Sequence, residues 1–206
     1  MRSEHEGVRL QALKFLEAAV LLHTAALGAH PDEAGVAAGV QPVRPHSFLS
    51  ASELNRDLRT YLDELQACTG RPHSGAFSAV LVSVLANLAR QRPPLCSETL
   101  PSLLQIASAV TGATANAQTA SMLHALKFSC VQLLRAGLQP EWRERVVAAL
   151  GALGYEDAAA SALRQFERSL KRERALAERC ANCATVRLIA APYATAQGWR
   201  APGHRR

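Results

Sequence analysis

The stretch Phe77–Pro93, FSAVLVSVLANLARQRP, decides the fold class of this chain. Its large apolar side chains recur at intervals of three and four residues, which is the spacing of one stripe on an α-helix. A helix this apolar is covered by neighbours on several sides. We predict that Ser74 caps its start and that Pro93 and Pro94 end it. The stripe consists of Phe77, Val80, Leu81, Val84, Leu85 and Leu88.

Length and composition favour an all-α protein of one domain or one short array. The chain has 206 residues, of which 49% are apolar and only 5% are aromatic, and no segment shows the alternation of a strand. The apolar run Leu13–Leu27 contains Lys14, Glu17 and His23, so it is too polar for a membrane span or a signal peptide. The five cysteines are scattered, which indicates a reducing intracellular compartment.

Positive charge is concentrated at the C-terminal end. Residues 164–206 contain 10 of the 23 Lys and Arg residues but only three of the 17 acidic residues. Residues 1–163 are almost neutral and show no electrostatic signature of nucleic-acid binding. A nucleic-acid-binding function would therefore depend on the C-terminal end.

The order of helices predicts an α-solenoid of HEAT or armadillo type. We expect helices near residues 3–26, 51–68, 77–93, 97–110 and 115–136, and two more from 140 and 156. Helices one, three and five are apolar on all sides, whereas two, four and six have one apolar face, as in stacked antiparallel pairs with an inner and an outer layer. The segment Leu10–Phe15, LQALKF, recurs as Leu123–Phe128, LHALKF, which supports a repeat.

This pattern predicts about three helical pairs and a simple domain organisation. We expect residues 1–180 to form the solenoid and residues 181–206 to be a disordered tail, because they lack periodicity. The long segment Gly28–Leu49 reads as a connection rich in Gly and Pro. Helix one has two apolar faces, so we expect an exposed apolar patch along Val8, Phe15, Ala19 and Leu22, or on the opposite face.

Three stretches resemble the N-terminal HEAT domain of the symplekin family. The most specific is Leu85–Pro93, LANLARQRP, at the end of helix three. Gly7–Arg9 with Ala12–Glu17 resembles the opening of a family helix, and Ala125–Phe128 with Ala152–Gly154 is a weaker match. The resemblance covers residues 5–160. The family domain carries several repeats before this point, so the chain corresponds to part of that domain.

The resemblance implies a scaffold with no enzymatic activity. It implies a nuclear protein that takes part in pre-mRNA cleavage and polyadenylation and binds other proteins of the cleavage and polyadenylation machinery. The chief partner would be the phosphatase that acts on the RNA polymerase II C-terminal domain. The charged end of helix seven and the tail have no counterpart in the family pattern. From the residues alone, we predict no catalytic residue, metal site or cofactor.

The candidate partner-binding residues are polar positions on inner helices. Lys14 and Gln11 lie on a narrow polar strip of helix one, and the resemblance implies that Lys14 contacts the phosphatase. Lys14 could equally extend to solvent without a role. Lys127 occupies the position in helix five that Lys14 occupies in helix one. Asn87 and Arg90 form the polar end of helix three, where cations could bind a partner or simply complement the helix dipole.

Two further motifs lie near the C-terminus. Cys180 and Cys183 form a single CxxC, which lacks the second ligand pair of a structural zinc site and the βαβ context of a redox site. The basic stretch Arg164–Arg179 is interrupted by three glutamates and could be an ordinary solvated face. The alternative function is an RNA-binding module that uses this basic helix and the tail.

Overall fold

The described part of the chain is helical, in agreement with the all-α prediction. The computed structural model describes the backbone of residues 5–27, 51–113 and 116–194, and the side chains of residues 5–24, 52–113 and 116–178. Within these ranges every regular element is an α-helix except one short 3₁₀ turn, Pro93–Leu95. The helices are α1 (Glu6–Leu27), α2 (Ala51–Thr69), α3 (Gly75–Gln91), α4 (Cys96–Thr111), α5 (Ala117–Ala136), α6 (Pro140–Ala152) and α7 (Glu156–Ala194).

The first six helices form three stacked pairs. The helix α1 packs on α2, α3 packs on α4, and α5 packs on α6. Successive pairs meet through an inner row, α1–α3–α5, and an outer row, α2–α4–α6. The predicted α-solenoid of about three pairs is therefore confirmed, with the alternation of inner and outer helices that the apolar pattern indicated.

The helix α3 is the centre of the stack, since it packs against α1, α4 and α5. Its stripe is buried except for Val80, which is half-buried, and Phe77, Val84 and Leu88 have no exposed surface. The predicted cap is confirmed, because the backbone N–H of Phe77 donates to Ser74 Oγ at 3.2 Å. The stretch that decides the fold class thus lies in the middle of the core.

The two copies of the repeated segment occupy equivalent positions. Leu13 in α1 and Leu126 in α5 are both fully buried, whereas Phe15 is 66% exposed and Phe128 is 60% exposed. The segments therefore share not only sequence but also their orientation relative to the core. This agreement supports the interpretation of LQALKF and LHALKF as one structural repeat.

The expected apolar patch on α1 is present with one change. Val8, Phe15 and Leu22 are exposed along one side of the helix, and we call them the α1 apolar stripe. Ala19, which the sequence placed in this patch, is instead 7% exposed and belongs to the core. On a helix with 3.6 residues per turn, Ala19 lies about 20–60° from the three residues of the stripe, on the side nearer to the buried face.

The packing of the outer row leaves an open groove. Between α4 and α6 lies a cavity of about 600 Å³, which we call the outer groove. Its lining is mostly small and apolar, and its one cation, Arg145, also stacks at 4.5 Å over the ring of Trp142. The lining residues are Leu104, Ala107, Ser108, Thr111, Gly112, Arg145, Ala148, Ala149 and Ala152.

A histidine joins the first three helices. His73 Nε2 donates to the carbonyl oxygen of Cys68 at 2.9 Å, so its Nδ1 accepts from the Arg9 guanidinium. The Arg9 guanidinium also lies 4.5 Å from the ring centre of Phe77. Burial lowers the pKa of His73; the bond to Cys68 opposes this shift, and the charges of Arg9 and Arg71 reinforce it.

The cysteines at positions 68, 96 and 130 are buried and free. Burial raises the pKa of all three thiols, that of Cys130 to about 12. Such thiols are poor nucleophiles, so they act as small apolar core residues. Among the described residues, no group of three potential metal ligands comes together, and no helix is long and apolar enough to cross a membrane.

The chain divides into two compact units, residues 1–163 and 164–206. The first turns of α7 belong to the first unit, where Ala159 and Ala162 are buried. The helix then continues to Ala194, beyond residue 180, where the sequence had suggested the start of a tail. Residues 195–206, the connection 28–49 and the side chains of Cys180 and Cys183 lie outside the described parts, so the expectations for them stay predictions.

Candidate protein-binding surface

The polar strip of α1 is exposed, as its sequence predicted. Gln11 is exposed, and Lys14 lies one turn further along with 53% of its side chain accessible. Lys14 Nζ donates to Glu17 Oε2 at 2.9 Å. The ammonium group therefore has a fixed position at the surface and two N–H donors left for another acceptor.

The partner of Lys14 is a buried carboxylate. Glu17 is only 8% exposed, and its second oxygen, Oε1, accepts from Asn87 Nδ2 on α3 at 2.5 Å. A carboxylate taken out of water needs such hydrogen bonds, because an unpaired buried charge is strongly unfavourable. Lys14 and Asn87 together supply them, and the second bond joins α1 to α3.

Asn87 extends these bonds along α3. Its Oδ1 accepts from Arg90 Nη2 at 2.9 Å and from Gln91 Nε2 at 3.0 Å, while its Nδ2 is committed to Glu17. The amide orientation is thereby defined by three partners. We call Lys14, Glu17, Asn87, Arg90 and Gln91 the inner-face network.

The end of α3 divides into a structural and an exposed part. Arg92 returns to α1, where its Nε donates to Thr24 Oγ1 at 3.1 Å and its Nη2 donates to the Leu21 carbonyl at 3.3 Å. Arg90 is exposed and bonds only one residue of its own helix in the network. Arg92 therefore fixes the end of α3 against α1. Arg90 lies exposed at the surface, where a partner could reach it.

A groove adjoins the inner-face network. It lies between α3 and α5, has a volume of about 390 Å³, and includes Asn87 and Arg90 in its wall. The exposed ring of Phe128 contributes an apolar surface on the α5 side. We call it the inner groove, and its lining residues are Ser83, Ala86, Asn87, Arg90, Phe128, Ser129, Gln132 and Leu133.

Lys127 makes a different contact from Lys14. It is half-buried, and its ammonium nitrogen lies 4.6 Å from the ring centre of Tyr155, which follows α6. This cation–π contact holds the side chain at the α5–α6 end of the stack. The structure therefore brings Lys14, Asn87 and Arg90 into one network with Gln11 beside it, and it places Lys127 in a separate interaction.

Two residues of this surface were not singled out from the sequence. Glu17 falls on the buried stripe of α1 between Leu13 and Val20. An acidic residue at such an apolar position indicates a buried ion pair or hydrogen bond, so the sequence did carry a signal for it. Phe128 gave no such signal, because an aromatic residue at helical spacing usually belongs to the core. Its exposure depends on the packing of α3 against α5.

The network presents cations that are held in place, which suits recognition rather than chemistry. Lys14 and Arg90 are both exposed, and the only carboxylate in the network is buried between its two hydrogen-bond partners. Charged groups that are already ordered lose little side-chain entropy when they bind. The surface is thus suited to acidic side chains of a protein partner, with the inner groove beside it for an apolar group.

Comparison with known proteins identifies a family for most of the chain. A family model described as symplekin/PTA1 N-terminal matches residues 1–173. The family provides scaffolds in mRNA 3′-end processing, and its helical repeats agree with the stack described above. No match is found among curated proteins.

Proposed function

Because this chain belongs to the symplekin/PTA1 N-terminal family, we propose that it is a non-enzymatic scaffold whose inner face binds the RNA polymerase II C-terminal-domain phosphatase. It acts in the nucleus, together with other protein partners of the cleavage and polyadenylation machinery. The observation that carries this proposal is the inner-face network, which holds Lys14 and Arg90 at the surface of two neighbouring helices.

Lys14 is the anchor of the proposed interface. Its bond to Glu17 leaves the ammonium ordered but half exposed, so an acidic side chain of the phosphatase can approach without breaking the buried Glu17–Asn87 bond. Removing one half of a charge pair that becomes buried at an interface costs about 2–5 kcal/mol. An exposed rim charge contributes only about 0–1 kcal/mol. The size of the effect therefore distinguishes an anchor from a peripheral contact.

The inner groove supplies the second element of the interface. Interfaces depend on a few apolar or aromatic anchors surrounded by polar residues. Phe128 is a large apolar ring that the stack leaves exposed beside Arg90 and Asn87. We therefore expect the phosphatase to place an apolar side chain against Phe128 and acidic side chains against the two cations.

Calorimetric titration with the recombinant phosphatase tests this assignment. We expect Lys14→Ala to weaken binding by at least about tenfold, or ~1.4 kcal/mol, and Lys14→Glu to weaken it further. The control is Arg56→Ala, which removes an exposed cation from the outer helix α2. Thermal melts of each variant show whether the fold is retained.

The outcomes separate the two interpretations of Lys14. Loss of affinity in the Lys14 variants with normal melts and a normal Arg56→Ala control supports the contact. Unchanged affinity in both Lys14 variants contradicts it. Equal losses for Lys14→Ala and Arg56→Ala would show that the phosphatase responds to net charge and not to this surface.

A further inference from the structure

The second unit of the chain carries a row of cations on one side of a helix. Beyond residue 163, α7 contains Arg164, Arg168, Lys171 and Arg172, which are spaced at i, i+4, i+7 and i+8. At 3.6 residues per turn, this spacing places all four within about 100° of the helix circumference. All four are exposed. We call them the α7 basic face.

The charges of this face are not neutralised within the helix. Glu173 projects about 100–180° away from the four cations. Glu167 and Glu178 flank them, yet the structure records no ion pair of either with the basic face among the side chains it describes. The four cations therefore outnumber the two carboxylates that flank them, and residues 164–206 as a whole carry ten cations against three carboxylates.

The spacing of these charges fits a phosphodiester backbone. At a rise of about 1.5 Å per residue, the four cations span ~12 Å of α7, an average of ~4 Å between successive cations along the axis. Each strand of a B-form duplex carries one phosphate per about 3.4 Å of its axis, so the two spacings are of the same order. Three of the four cations are arginines, whose guanidinium groups form paired hydrogen bonds with phosphate oxygens.

We propose that the α7 basic face binds the sugar–phosphate backbone of RNA, independently of base sequence. An RNA ligand is favoured over other polyanions because the family acts in mRNA 3′-end processing and because a row of cations about 4 Å apart can contact successive phosphates of one strand. No aromatic side chain lies among these four residues to stack on bases, so recognition rests on charge. This activity goes beyond the proposed phosphatase binding and uses a different part of the chain.

The dependence of affinity on salt provides the test. The probe is a fluorescently labelled oligouridine, and its affinity for the full chain is measured by anisotropy over a range of salt concentrations. Each phosphate contact contributes about −0.7 to the slope of log K against log[salt] for a single strand, so four contacts contribute about −3. Four such contacts alone weaken binding by about fifty-fold between 50 and 200 mM salt.

The decisive variant replaces Arg164, Arg168, Lys171 and Arg172 together by Gln, which keeps helix propensity. We expect the slope to become shallower by about 3 and the affinity at low salt to fall by at least tenfold. The control replaces the same number of exposed arginines in the first unit by Gln and has the same net charge. Its positions are Arg56, Arg59, Arg71 and Arg135.

The results either support or overturn the proposal. A shallower slope in the basic-face variant, with a normal slope in the control, supports it. An unchanged slope in the basic-face variant overturns it, and so do equal losses in both variants, which would mean that net charge alone drives binding. Circular dichroism of both variants confirms that the helices are retained.

Competing ligands and the phosphatase complete the test. Poly-glutamate and vesicles containing phosphatidylserine serve as competing polyanions. If either binds as tightly as oligouridine and loses affinity equally in the basic-face variant, RNA is overturned as the ligand. The basic-face variant should bind the phosphatase as the wild type does. The RNA proposal can therefore fail while phosphatase binding is retained, and the phosphatase proposal can fail while RNA binding is retained. The two failures are distinguishable.

Discussion

At the residue scale, Glu17 explains why the polar strip of α1 and the polar end of α3 form one surface. The side chain lies at a position that the helix pattern assigns to the core, and its carboxylate takes one bond from each helix. Lys14 contributes from the solvent side, whereas Asn87 contributes from the interface between α1 and α3. The two partners therefore differ in how much stability they supply.

This difference predicts unequal effects on stability. Lys14→Ala removes a half-exposed partner from the solvent side of Glu17, where water can take the place of the ammonium group, so we expect the free energy of unfolding to fall by about 1 kcal/mol or less. Glu17→Ala leaves the buried Asn87 Nδ2 without its acceptor and opens space between the helices, which we expect to cost about 1–3 kcal/mol. Urea unfolding of both variants checks this order. A larger loss for Lys14→Ala than for Glu17→Ala would contradict it.

His73 makes the α1–α2–α3 junction sensitive to pH. The neutral ring donates from Nε2 to Cys68 and accepts at Nδ1 from Arg9, so a second proton on the ring would face the Arg9 guanidinium. The pKa of His73 is lowered in the folded protein, chiefly by burial. The folded state therefore binds fewer protons than the unfolded state in the range below the usual histidine pKa of about 6.5.

The sign of this shift predicts a loss of stability on acidification. The contribution of His73 is fully present above about pH 6.5, decreases as the pH falls, and levels off below the lowered pKa. We expect the free energy of unfolding to fall between about pH 7 and pH 5 more in the wild type than in His73→Gln. Gln is the matched replacement because its amide can both donate and accept. Parallel pH curves for the two proteins would contradict this role.

At the element scale, the sequence predicted the helices and their stacking in pairs, but not how closely neighbouring helices approach each other. Starts near Ser74 and Pro140 have local causes, a cap and a first-turn proline, and the left-handed backbone of Gly154, with φ +78°, follows the end of α6. The length of α7 was underestimated, because residues beyond 180 lack the apolar periodicity on which the prediction relied. Close approaches such as that of α3 and α5 depend on packing, which periodicity does not encode.

The helices α3 and α5 lie close together at Gly75. A Cβ atom at this position would lie 2.9 Å from the backbone Cα of Gln118, and rigid backbone cannot move aside as a flexible side chain can. We therefore expect Gly75→Ala to cost about 1–3 kcal/mol of stability, as overpacking does. The control is Gly7→Ala in the first turn of α1, where a Cβ meets nothing within 4 Å.

Thermal or urea unfolding of the two alanine variants measures the effect. We expect Gly7→Ala to leave stability unchanged or to raise it by about 0.4–1 kcal/mol, since alanine restricts the unfolded chain. A loss confined to Gly75→Ala identifies steric conflict at the α3–α5 interface. Equal effects of the two substitutions would show that the interface adjusts freely.

At the scale of the whole molecule, the repeat explains the exposed side of α1. Phe15 and Phe128 occupy equivalent positions, and Phe128 lines the inner groove where α5 meets α3. The corresponding side of α1 carries the α1 apolar stripe, with Val8 and Leu22 on either side of Phe15. Exposed apolar surface of this kind promotes association.

We therefore expect the chain to self-associate as its concentration rises. Light scattering coupled to size exclusion measures the mass of the wild type and of the double variant Phe15→Gln/Leu22→Gln. The variant should remain monomeric at concentrations where the wild type forms larger species, because its stripe is polar. The control is Leu176→Gln, which removes an exposed leucine from α7. A monomeric wild type at high concentration would contradict this expectation.

The outer groove has a consequence for the mechanics of the scaffold. On the inner side, Glu17 and Asn87 bond α1 to α3, and α3 approaches α5 closely at Gly75. On the outer side, α4 and α6 leave about 600 Å³ between them, lined mainly by small side chains. We therefore expect the stack to bend more easily where it closes this space than where it stretches the hydrogen-bonded inner row. The more compliant side would then lie opposite the inner-face network.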